Sequence, residues 1–88
     1  MRTSSIEART TASLHAFGRV GFIVPRYRQS AVDRNRLKRR LRELVRIELL
    51  PTLGARDVVL RAAPQAYRLE FDALRRELLQ LRDRIGGS

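Results

Sequence analysis

The chain has 88 residues, a formal net charge of +10, a pI near 11.7 and no cysteine. That length fits one small domain. The lack of cysteine excludes a disulfide framework and a thiolate metal site, and no apolar run approaches the roughly 18 residues of a membrane-spanning helix.

Arginine supplies 18 of the 19 basic residues, and Lys38 is the only lysine. A guanidinium is a planar fork of donors that grips phosphate oxygens, whereas an ammonium acts as a point charge. The charge is also uneven. Between Arg19 and Arg46 there are ten basic residues against two acids, Asp33 and Glu43, while the other 60 residues carry nine basic groups and seven acids. One localised positive face is the footprint of a nucleic-acid binder.

Residues 1–9 are polar and are expected to be disordered. The N-terminal stretch lacks the apolar core of a signal peptide, so a cytoplasmic protein is expected. The stretch TTASLHAF (10–17) reads as a weak strand. RVGFIV (19–24) reads as a better one, with Val20, Phe22 and Val24 alternating with Arg19, Gly21 and Ile23. Pro25 stops it, and a turn follows.

Ser30 with Asp33 three residues on resembles a capping box, and a helix is predicted over 31–49. Leu37, Leu41, Leu44 and Val45 make one apolar stripe at i, i+4, i+7 and i+8. Arg39, Arg42 and Arg46 fall roughly opposite it, with Arg36 and Lys38 towards its flanks. Leu50–Pro51 is expected to end this helix, and TLGAR to form the turn. DVVLRA (57–62) is a short strand closed by Pro64. A last helix is predicted over 69–85, with Phe71, Leu74, Leu78, Leu81 and Ile85 on one face and Gly86 and Gly87 at its end. The order (β)βαβα predicts one small α+β domain with its helices packed on a sheet.

The basic helix carries the strongest functional signal. Arg36 and Arg40 are a like-charge pair at i, i+4, Arg39 and Arg42 another at i, i+3, and each such pair destabilises a helix by a few tenths of a kcal/mol. Glu43 is the only acid within 34–46 to relieve them. A merely solvated face would not need such crowding; a phosphate partner would. Asn35 reads equally as a first-turn polar residue and as a donor–acceptor for a sugar hydroxyl or base edge. Phe17, Phe22 and Tyr27 are the aromatic residues near the basic run. The alternation of Phe22 with Val20 and Val24 favours a core position over base stacking. Tyr27 lies between Arg26 and Arg28 in a loop, where stacking, phosphate contact and simple packing are all open. His15 is the only histidine and has no partner for a metal site or a catalytic pair. No phosphate-loop, dinucleotide or nucleophile-elbow motif occurs, so no catalytic residue is expected in the polypeptide.

The run RVGFIVPRYRQSAVDRNRLKRRLRELVR (19–46) resembles the signature region of the bacterial ribonuclease P protein subunit. That family has a strand of the type R-hydrophobic-G-F-x-V, then a basic loop, then A-V-x-R-N-R-x-K-R-R-x-R-E, and the spacing matches without a gap. ARDVVLRAAP and FDALRRELLQL are similar to the family's last strand, its turn and its C-terminal helix. The resemblance implies a compact αβββαβα sandwich with a left-handed crossover. It implies that the RNR helix binds the catalytic RNA and that an open sheet cleft holds the 5′ leader of precursor tRNA. The RNA would perform phosphodiester hydrolysis with Mg2+, and the protein alone would bind no cofactor. Arg34, Asn35, Arg36, Lys38, Arg39 and Arg42 match the signature positions for RNA contact, with Phe22 and Arg26 on the strand and loop leading into it. Arg28 and Arg46 extend the basic set. The family's Phe-bearing first helix, which forms one wall of the leader cleft, is not found in this sequence: either the chain starts late or it is a shortened variant with a weakened leader grip. A general RNA- or DNA-binding module without a processing role is the alternative reading, and a basic adaptor for an acidic protein is a third.

Overall fold

The computed structural model describes residues 1–14 and 17–87. Its elements are β1 (Ile6–Ala12), β2 (Val20–Ile23), α1 (Ala31–Leu44), a π-helical turn (Val45–Leu49), α2 (Leu50–Leu53), β3 (Arg56–Ala62), a 3-10 turn (Pro64–Arg68) and α3 (Phe71–Gly87). This is the predicted α+β order. β3 is central: β1 pairs with it antiparallel and β2 parallel. The register places Glu7 opposite Arg61, Arg9 opposite Val59, and Phe22 opposite Leu60.

Strand alternation gives the sheet two unlike faces. Ile6, Ala8, Val58, Leu60 and Ala62 are buried on the inner face, with Val20 and Phe22 packed against the same core. Leu37, Leu41 and Leu44 of α1 and Leu74, Leu78, Leu81 and Ile85 of α3 complete that core. Helices cover the inner face, while Arg9, Ile23, Val59 and Arg61 stand exposed on the other. A sheet that buries one side can leave the other open to a partner.

Four expectations are corrected at the ends of elements. Residues 1–9 are not disordered. Ile6 and Ala8 sit in the core, and the chain before them folds back along β1, with the Thr3 amide donating to the Ile6 carbonyl and the Ala8 amide to the Met1 carbonyl, each at 2.8 Å. Glu77 of α3 fastens this turn, accepting from the Thr3 hydroxyl at 2.5 Å and the Ser5 amide at 2.8 Å. Polar composition hid a strand whose inward residues are Ile6 and Ala8. The weak strand expected over 10–17 is the tail of β1, which stops at Ala12; His15 and Ala16 lie outside the described residues.

Pro51 does not end the basic helix either. The helical path runs on to Leu53 and stops at Gly54, whose φ of 64° is open to glycine at little cost. Pro51 has no N–H to donate into an α ladder. The Leu50 amide instead reaches back five residues to the Val45 carbonyl, and the proline falls in the first turn of α2, where its missing donor does no harm. Leu49 and Leu53, buried on either side of it, anchor the extended path in the core. The last helix likewise runs on through Gly86 and Gly87.

Candidate nucleic-acid interface

α1 begins as its sequence dictates. Ser30 is the N-cap, and its hydroxyl accepts from the Asp33 amide at 3.0 Å, a bond of the kind that stabilises a helix by about 1 kcal/mol. With the Leu stripe turned to the core, Asn35, Lys38, Arg39 and Arg42 share the outward side at i, i+3, i+4 and i+7. They line a shallow recess of about 300 Å³. Arg36 and Arg40 border a smaller one of about 140 Å³, together with Gln29, Asp33 and Tyr67.

The pairing of charges is selective. Glu48 binds Arg75 and Arg82 of α3, Asp57 binds Arg19, Glu7 binds Arg9, and Glu43 binds Arg46. Among the described residues, no ion pair involves Arg34, Arg36, Lys38, Arg39, Arg40 or Arg42. Six cations on one helix are therefore left without a carboxylate, which is the electrostatic setting for a polyanion. Arg46 differs: it holds Glu43 at 2.6 Å, and that hydrogen bond lowers the Glu43 pKa and raises its own. Arg34 also has an internal duty, since its Nε donates to the Val24 carbonyl at 2.7 Å.

The loop between β2 and α1 is strained. Tyr27 and Arg28 have φ of 48° and 70°, and the Gln29 amide donates to the Arg26 carbonyl at 2.7 Å. Positive φ at both central residues makes this a type I′ turn, which ordinarily calls for Asn-Gly. Each such residue with a side chain costs on the order of 1 kcal/mol or more. Two tyrosines hold the turn. The Tyr27 hydroxyl donates to the Ala62 carbonyl at 3.0 Å, the Tyr67 hydroxyl donates to the Pro25 carbonyl at 2.6 Å, and their rings meet edge-to-face at 6.4 Å. Burial pushes the Tyr67 hydroxyl above its usual pKa, against a smaller opposing pull from Arg34. It remains a donor at neutral pH.

The open sheet face forms a third recess, of about 480 Å³, lined by Glu7, Arg9, Ile23, Val59 and Arg61. Its floor is apolar, and its rim carries Arg9 and Arg61 together with Glu7, which pairs with Arg9. Phe22 is not part of it: its ring is half-buried on the inner face, in register with Leu60, which corrects the stacking role considered for it. Phe17 is exposed beyond the end of β1, and Tyr27 borders a small recess beside Arg61 and Ala62. Arg9, Ile23, Val59 and Arg61 were not singled out in the sequence. Their signal was strand phase, since each alternates with residues bound for the core.

The sequence pattern of the family described as Ribonuclease P matches residues 2–86. The ribonuclease P protein components of Nocardioides sp. and Kocuria rhizophila are 41% identical over 68 residues and 42% identical over 65. Those alignments take in 77% and 74% of this chain and 58% of each relative, so the chain spans under two thirds of the length of the curated relatives it matches. The RNase P protein from Thermotoga maritima, solved in complex with 1-(4-fluorophenyl)-2-thiourea, superposes with a TM-score of 0.84 at 26% identity, covering 97% of this chain and 83% of that one. The Staphylococcus aureus RNase P protein, at 20% identity, shares the fold with the same TM-score over 94% of this chain and 76% of its own. With a family match over nearly its whole length and the same architecture, the chain belongs to the Ribonuclease P protein family.

Proposed function

We propose that this chain is the protein subunit of a cytoplasmic ribonuclease P. It binds the catalytic RNA through the outward face of α1 and assists removal of the 5′ leader from precursor tRNA. The observation that carries this reading is the set of six cations from Arg34 to Arg42 that, among the described residues, have no carboxylate partner, while Glu7, Glu48 and Asp57 are paired elsewhere. Arg34, Asn35, Arg36, Lys38, Arg39 and Arg42 contact phosphate and sugar groups of the RNA, and Arg26 and Arg28 extend the track along the loop. The open sheet face takes the single-stranded leader, with bases against Ile23 and Val59 and phosphates towards Arg9 and Arg61.

The polypeptide's part in catalysis is electrostatic. Cations fixed on a folded scaffold lower the repulsion between two RNA backbones without reorganising when they meet. Magnesium enters with the RNA, and the bond-breaking step belongs to the RNA. If about five arginines replace counterions, log affinity should fall against log salt with a slope near −4 to −5 for duplex-like RNA. The decisive experiment adds the protein to its cognate ribonuclease P RNA at low magnesium and follows precursor-tRNA cleavage. Restored cleavage supports the assignment. No gain over RNA alone, with equal affinity for unrelated RNAs and duplex DNA, would instead make this a general nucleic-acid-binding module.

A further inference from the structure

We propose that Tyr27 and Tyr67 are positioning residues: they hold the Arg26–Gln29 turn in its strained form so that Arg26 and Arg28 meet a phosphodiester backbone. The inference rests on the RNA-binding reading above and adds to it the device that presents the loop cations.

The turn stands at a junction. It joins Ile23, the last residue of β2 and part of the open sheet face, to Ala31, the first residue of the basic helix. A nucleic-acid strand touching both surfaces would cross it. Its backbone could be made without strain by Asn-Gly. The chain places Tyr and Arg there instead, with both φ positive, and strain of this kind persists only when the surroundings over-determine it. The surroundings here are the two tyrosines. Tyr27, within the turn, donates to the carbonyl of Ala62, the last residue of β3, and Tyr67, in the 3-10 turn that follows β3, donates to the carbonyl of Pro25 after β2. The edge-to-face contact of their rings closes the clasp. Tyr27 is thereby used up in holding the loop. Arg28 is left exposed, and among the described residues Arg26 keeps a single side-chain bond, from its Nε to the Gln29 carbonyl at 3.3 Å.

Two phosphate backbones could lie over this junction, that of the catalytic RNA and that of precursor tRNA. Two binding measurements separate them: the protein with its cognate ribonuclease P RNA, and the reconstituted holoenzyme with precursor tRNA, each titrated across salt. Tyr67→Phe removes one hydroxyl and keeps the ring. It should weaken the affected arm roughly three- to tenfold and lower its salt slope by about one. In an Arg26→Ala/Arg28→Ala background the same change should have no further effect on binding. Arg28→Gly relieves the positive φ, so it should leave the melting temperature unchanged or higher while weakening the same arm. That opposition of stability and binding is what a purely structural turn would not give. The proposal is overturned if both single variants bind like the parent in both arms, or if the Tyr67→Phe loss persists undiminished without the two arginines. Failure of the parent protein to bind either RNA at ordinary salt would overturn the functional reading itself, and this proposal with it.

Discussion

Arg34 donates its Nε hydrogen to the carbonyl of Val24 at 2.7 Å, tying the first turn of α1 to the end of β2. The first arginine of the RNR run is thus partly a structural strap, and its neighbours are not. Arg34→Ala should cost about 1–3 kcal/mol, because a half-buried carbonyl loses a charge-assisted donor. In a domain of this size that lowers the melting temperature by several degrees. Arg39→Ala should leave the melting temperature within about a degree, since exposed positions rarely matter to stability, yet reduce the salt slope of RNA binding by about one. Thermal melts of both variants beside a salt titration check this. Equal melting temperatures would remove the strap.

The basic helix was legible because its signals are local. Ser30 caps it, the Leu stripe has the helical period, and the arginines fall where that stripe leaves room. Its far end was not legible. Pro51 reads as a stop in one dimension, and only burial of Leu49 and Leu53 makes a π-register worth forming. The core position of Phe22 could be read from alternation. The open face could not, because the pairing of Glu7 with Arg61 and Arg9 with Val59 is set by two strands far apart in the chain. The clasp between Tyr27 and Tyr67 was hidden for the same reason.

Glu48 shows how the π-turn is held to α3. Its carboxylate is mostly covered and lies 3.5 Å from Arg75 and 3.4 Å from Arg82. Both arginines are partly exposed, so screening discounts each pair to under about 1 kcal/mol. Glu48→Ala should therefore cost about 1–2 kcal/mol in all. Leu49→Ala beside it opens a cavity in the core and should cost about 2–5 kcal/mol. Denaturant midpoints would rank them. A Glu48 loss as large as that of Leu49 would mean the ion pairs, not packing, hold this turn.

Among the described residues, Glu43 is the acid of the basic helix that pairs with a cation, Arg46. Its hydrogen bond with Arg46 holds its carboxyl below the ordinary value of 4.5. A lowered pKa means the ionised pair is favoured in the folded state above that value and lost as pH falls through the lower, folded one. At pH 7 the pair is fully formed. Glu43→Gln should then free Arg46 and remove a repulsive charge, tightening RNA binding roughly two- to fivefold at low salt. The advantage should fade as salt rises, and also in acid, once pH falls through the lowered pKa of the folded parent carboxylate. Fluorescence titrations at two salt concentrations and two pH values suffice. Unchanged affinity at pH 7 and low salt would leave Arg46 outside the interface.

Arg61 separates the two proposed surfaces. It lies on the open sheet face beside Val59 and opposite Glu7, on the other side of the sheet from the helices. If the leader runs across this face, Arg61→Ala should weaken holoenzyme binding of precursor tRNA roughly three- to tenfold and leave binding of the RNA subunit alone unchanged. Arg42→Ala on α1 should do the reverse, weakening RNA-subunit binding first. A precursor lacking its leader should be insensitive to Arg61→Ala, because the apolar floor of Ile23 and Val59 and the Arg61 side chain on its rim would then have nothing to hold. Stability should not confuse the comparison, since both arginines are exposed and neither forms an ion pair among the described residues. Equal losses from Arg61→Ala on precursors with and without a leader would mean that the open face does not carry the leader.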